Sequence, residues 1–107
     1  MKTIYLAGKI TDDPDYKSKF CFASSLLTTA GFTVINPAVL PPGLSYAAYI
    51  RLSTAMLDEC EGVCFLSGWL DSPGARHEHN RAEICGLNIF YFEDWLRNKV
   101  VDKWTNS

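Results

Sequence analysis

Gly62-Val63-Cys64-Phe65-Leu66-Ser67-Gly68-Trp69-Leu70-Asp71-Ser72-Pro73-Gly74-Ala75-Arg76-His77-Glu78 is an apolar run that stops at a polar, glycine- and proline-bearing stretch and resumes in helix-forming residues. Residues 62–66 are short and apolar throughout, the pattern of a strand buried on both faces. Residues 67–74 hold two glycines, a proline and a tryptophan, which is loop composition. A helix is expected from about Ala75 to Cys85, closed by Gly86. Strand, loop and helix in that order make one βα unit.

The alternation extends in both directions. Thr3-Ile4-Tyr5-Leu6-Ala7-Gly8 and Phe32-Thr33-Val34-Ile35-Asn36 are two further β-rich apolar runs, the second stopped by Pro37. Between them Asp13-Pro14 offers an N-cap followed by proline at the first helical position. Phe20, Ala23, Leu27 and Ala30 recur at helical spacing, and Gly31 closes the segment. Pro41-Pro42-Gly43 marks a loop over residues 38–44, after which Ser45 caps a helix with apolar positions Tyr46, Tyr49, Ile50, Met56, Leu57 and Cys60. Residues 88–92 read as a fourth strand and residues 93 to about 104 as a terminal helix. Such repetition specifies right-handed crossovers and a parallel sheet with helices on both faces. The economical order of four strands is 2-1-3-4, an α/β flavodoxin-like (Rossmann-like) three-layer fold. Ligands in such sheets bind beyond the carboxyl ends of the strands where the order reverses, here between strands 1 and 3. Residues 8–13 and 67–74 are the loops that meet there.

At 107 residues and 12.0 kDa the chain suits one domain, residues 1–107, with one core. Net charge is −2 and the ten lysines and arginines are scattered, so nucleic acid is not expected as the main ligand. No apolar run approaches the roughly 20 residues of a membrane span, and a cytoplasmic location is expected. Cys21, Cys60, Cys64 and Cys85 form no C-x-x-C pair; three of the four sit in apolar patterns, where a thiol behaves as a small hydrophobe. Trp69, Trp95 and Trp104 leave aromatic area to cover on so small a chain, which points to a homodimer or larger homo-oligomer.

Glu78 falls about one turn into its helix, where free amides and the helix dipole favour an ionised carboxylate. It is either a solvated first-turn glutamate or a nucleophile aimed at an anomeric carbon. Ser72 and Gly74 precede the same terminus, as an N-cap and turn or as a cradle for a phosphate or sugar hydroxyl. In the same loop Gly68 adds a turn, and Trp69 either stacks on a nucleobase or covers the ligand, or else packs on its own domain or a second subunit. Tyr5 points to the face opposite Ile4 and Leu6, either as a core tyrosine whose hydroxyl needs a partner or, if it lies near the strand's end, with a phenol able to reach the carboxylate across the reversal point. In the facing loop Gly8, Lys9 and Asp12 are within range of a ligand's polar groups, and Arg51 and Arg76 are candidates to balance a phosphate. His77 and His79 flank Glu78, but residues two apart on a helix face different ways, so no metal site is expected. No cofactor is expected either.

Thr3-Ile4-Tyr5-Leu6-Ala7-Gly8, the strand from Gly31 to Pro37, and Gly74-x-x-x-Glu78-x-x-x-Ala82 together resemble the nucleoside 2-deoxyribosyltransferase-like superfamily over residues 3–92. Asn36-Pro37-Ala38, Leu57-Asp58, Gly68-Trp69 and residues 72–79 are most similar to its short phage and bacterial members. The resemblance implies the flavodoxin-like fold, Glu78 as the carboxylate that attacks the sugar carbon, Tyr5 as the phenol that orients it, and a neighbouring subunit that completes the active site. It implies cleavage of an N-glycosidic bond in a nucleotide or nucleoside, by hydrolysis or by transfer. Two aspartates of the transferases have no counterpart: Ser72, with Asp71 beside it, stands six residues before Glu78, and Ser53 or Thr54 stands at the second position. A serine in that turn is closer to the phosphate-binding hydrolase relatives, and a non-catalytic nucleotide-binding module is the alternative.

Overall fold

The computed structural model describes residues 2–98. Its sheet has four parallel strands, β1 Thr3–Ala7, β2 Thr33–Ile35, β3 Gly62–Phe65 and β4 Asn88–Tyr91, in the expected order β2-β1-β3-β4. Tyr5 is paired with Ile35 on one side and Val63 on the other, and Phe65 with Tyr91. The Leu66 amide donates to the Ala7 carbonyl at 2.8 Å, so β1 and β3 stay together to the edge where the two functional loops begin.

Alternation along β1 separates two cores. Ile4 and Leu6 pack with Phe20, Ala23 and Leu27 of α1 (Tyr16–Thr29) and with Phe92 and Trp95 of α4 (Phe92–Asn98). Tyr5 and Ala7 pack with Leu57 of α2 (Tyr46–Asp58) and Ala82 of α3 (Pro73–Ile84). Burying a side chain such as Leu27 or Leu57 completely contributes about 1.5–3 kcal/mol. The strands are apolar at nearly every position because both faces are covered.

Several boundaries differ from expectation for local reasons. Asp13 does not cap α1: its carboxylate accepts from the Asp15 amide at 2.9 Å and pairs with Lys19 at 2.8 Å, so a turn precedes the helix, which starts at Tyr16. Ala30 is accordingly an exposed C-cap rather than a core position. Conversely, α3 starts two residues early, since Pro73 takes the first helical position and Ser72 Oγ accepts from the Ala75 amide at 3.2 Å. Ser45 caps α2 as expected, accepting from Ala48 at 3.1 Å. Arg81 of α3 grips Asp58 of α2 through two bonds of 2.8 and 2.7 Å, tying together the helices behind β1 and β3. Cys60 and Cys64 are buried, whereas Cys21 and Cys85 are exposed, one fewer buried thiol than the apolar patterning suggests; all four are free. Among the described residues no helix is long and apolar enough to cross a membrane. The expected continuation of the last helix to Trp104 lies outside the described residues.

Candidate functional site

A pocket of about 640 Å³ opens at the carboxyl ends of β1 and β3, at the point where the strand order reverses. Its volume lies in the range of small-molecule sites. The loop after β1 supplies Gly8, Lys9, Ile10, Thr11 and Asp12, and the end of the β3 loop with the start of α3 supplies Asp71, Ser72, Gly74 and Glu78.

Gly8 is dictated by close approach. A Cβ there would lie 3.2 Å from both Leu66 Cβ and Phe20 Cζ, and Phe20 is fully buried. At Gly74 the nearest atoms to a Cβ, Ile50 Cδ1 and Ser72 Oγ, are 3.9 Å away, so packing does not demand a glycine there. Gly8→Ala is therefore expected to lower unfolding free energy by about 1–3 kcal/mol. Gly74→Ala is expected to be neutral or to stabilise by up to about 1 kcal/mol. Urea unfolding of the two variants checks the contrast.

Glu78 is the sixth residue of α3 and only 4% exposed. Tyr5, fully buried at the centre of β1, donates its phenolic hydrogen to Glu78 Oε2 at 2.5 Å. Ser53 of α2 is also fully buried; its hydroxyl donates to the Ile50 carbonyl at 3.3 Å and lies beside Glu78 and Tyr5. Burial pushes the Glu78 pKa up to about 7, against the lowering effect of the neighbouring Tyr5 and Ser53 hydroxyls. This corrects the expectation of a carboxylate ionised by the helix terminus. Glu78 lies well past the free amides, of which Gly74 N–H has no acceptor among the described residues, and desolvation dominates. Near neutral pH Glu78 is divided between its two forms. Burial first, then the neighbouring Glu78 charge, raise the Tyr5 pKa well above the usual phenol value, so Tyr5 remains a donor. Tyr49 is pushed up by the same two causes in the same order.

The structure thus brings Glu78, Tyr5, Gly8, Lys9, Ser72 and Gly74 to one place. It sets Gly68, Trp69 and Arg76 apart. Gly68, left-handed at φ 88°, starts a 3₁₀ turn over Trp69–Asp71 that carries the indole toward β4. There Trp69 stacks on His79 at 4.5 Å and packs on Phe65 at 4.8 Å, beside a separate depression of about 390 Å³. The packing alternative holds for this tryptophan. Arg76 turns back on the loop, donating to the Leu70 carbonyl at 2.6 Å. Arg51 is exposed and also off the pocket wall. His79 is engaged by Tyr91 Oη at 3.1 Å and by Glu83.

Sequence reading missed Tyr49 as a site residue and Ser53 as a partner rather than a missing acid. Their spacing of four on α2 was the available signal, because it puts both on the helix face that meets β1. It also missed the wall formed by Tyr16, Pro37, Leu40, Pro41, Pro42, Leu44 and Tyr46, which spacing within any single element does not reveal.

No curated protein matches the chain. The family model for a domain of unknown function, DUF4406, matches residues 2–91, which span all four strands and every residue of the pocket, and the chain belongs to that family.

Proposed function

We propose that the pocket cleaves the N-glycosidic bond of a nucleotide or nucleoside, with Glu78 as nucleophile, and that this family is a branch of the nucleoside 2-deoxyribosyltransferase-like superfamily. The observation that carries the reading is the buried 2.5 Å bond from Tyr5 to Glu78 Oε2 at the wall of a pocket wide enough for a nucleoside. A carboxylate hydrated on all sides is a weak nucleophile; one largely withdrawn from water, with one oxygen held by a phenol, is oriented and more basic.

In the first step Glu78 Oε1 bonds to the anomeric carbon as the carbon–nitrogen bond breaks. The bond's electrons leave with the base, which takes a proton from water. Water then attacks the same carbon, the ester electrons return to Glu78, and the water's proton is released; a second base in place of water gives transfer. Tyr5 holds Oε2 through both steps. Lys9 and the Gly74 amide supply positive character for a single phosphate.

One observation favours binding without turnover: the buried group beside Tyr5 and Glu78 is Ser53, a hydroxyl and not an acid. Incubation of the unaltered chain with deoxynucleoside monophosphates and deoxynucleosides, followed by chromatography of free base, separates the two. The glycosidase reading predicts release from at least one member. Thermal stabilisation by the same panel without any release would replace it with a nucleotide-binding module.

A further inference from the structure

The pocket changes character from its deep end to its mouth. Glu78 at the deep end is 4% exposed, whereas Leu44 and Tyr46 at the mouth are 36% and 63% exposed, and Tyr16, Pro41 and Pro42 continue the same wall. We propose that this tyrosine, proline and leucine wall is the nucleobase subsite, and that it selects substrates by the apolar area of the base rather than by its hydrogen-bonding edge. The inference rests on the glycosidase reading and names the part of the substrate that the mouth receives.

Three observations converge on it. First, attack requires the sugar carbon at roughly 3–3.5 Å from the carboxylate, so the base must project away from buried Glu78. The polar side of the pocket, with Ser72 and the Gly74 amide, suits a phosphate or hydroxyl, and the aromatic side suits a π face. Second, Tyr16 and Tyr46 are the first residues of α1 and α2, flanking the pocket from two elements, while Pro41 and Pro42 hold the intervening loop with little conformational freedom to lose. Apolar side chains left in water around a preformed cavity are what a ligand covers. Third, no asparagine or glutamine lies on the wall among the described residues, and the polar lining residues Thr11, Asp12, Tyr46 and Asp71 are exposed. An exposed donor or acceptor keeps its water when the wrong base arrives, so it discriminates weakly; strong rejection needs a buried polar group left unpaired.

The test is a series of 2′-deoxyuridine monophosphates carrying hydrogen, methyl, ethyl or propyl at the base 5-position, with the adenine and hypoxanthine deoxynucleotides as an amino-for-oxo pair. Each compound is measured for base release and, independently of turnover, for thermal stabilisation. Both readouts are expected to rise along the alkyl series, by up to about fourfold in kcat/KM or affinity per methylene buried. Adenine and hypoxanthine are expected to differ by less than about tenfold. Tyr46→Ala and Leu44→Ser should flatten the alkyl series while leaving unfolding free energy nearly unchanged. A flat or falling series, or a hundredfold preference within the adenine and hypoxanthine pair, overturns the inference. Stabilisation that rises along the series with no base released would retain the subsite and remove the glycosidase; release without the rise would do the reverse.

Discussion

Glu78→Gln is expected to be more stable than the wild-type chain at about pH 8 and to lose nearly all base release at any pH. The stability half follows from linkage. The Glu78 pKa is about 7 in the folded protein against 4.5 for the ordinary side chain. Below about pH 4.5 the carboxyl is protonated in both states and burial carries no charge penalty. Between 4.5 and 7 the unfolded chain loses the proton while the folded protein keeps it, and above 7 the folded protein holds a buried anion. Stability that is fully present below 4.5 is therefore lost as pH rises through 7, by about 3 kcal/mol if the whole shift is expressed. Glutamine never ionises, and its amide oxygen still accepts from Tyr5. Urea unfolding of both chains at about pH 4.5 and pH 8 should show the difference in favour of glutamine growing with pH; a glutamine variant less stable at pH 8 would mean that Glu78 is not desolvated as described. The catalytic half follows because an amide oxygen cannot form the glycosyl ester, and base release should fall by at least about a thousandfold.

Tyr5→Phe should separate orientation from nucleophilicity. It removes the donor to the buried Glu78 Oε2, leaving that carboxylate oxygen without its phenol partner. Hydrogen bonds to charged groups are worth about 1.5–3 kcal/mol, so kcat is expected to fall about ten- to hundredfold with KM little changed. Because the Tyr5 hydrogen bond lowers the Glu78 pKa, its loss raises that pKa further. The acid limb of the pH–rate profile, near pH 7 in the wild type, should move to higher pH. Loss of rate with the limb unmoved would assign Tyr5 to packing alone.

The strand order was readable because four apolar runs are separated by helical patterns and punctuated by Gly8, Gly31, Pro37 and Gly86. Neighbours in sequence can then close only in a few ways. Tyr5 and Glu78 were readable as a pair because β1 and β3 are adjacent at the reversal, and because alternation along β1 puts Tyr5 on the face opposite Ile4. What escaped was tertiary. The direction of Trp69 depends on a left-handed Gly68 and a 3₁₀ turn that the string Ser-Gly-Trp-Leu-Asp does not announce. The pKa of Glu78 depends on how much of α2 and β1 covers it, which helix position alone does not report. Pro41-Pro42-Gly43 says loop, not which cavity the loop walls.

The claim that Glu78 is the nucleophile is tested most directly by trapping the intermediate. An electron-withdrawing 2′-fluoro substituent disfavours the oxocarbenium-like transition states of both steps, so the glycosyl-enzyme should accumulate when a good leaving base is attached. Intact-mass measurement followed by peptide mapping is predicted to find one glycosyl adduct, on the peptide containing Glu78 and absent from Glu78→Gln. Steady base release with no adduct, or an adduct on any other residue, would contradict the account.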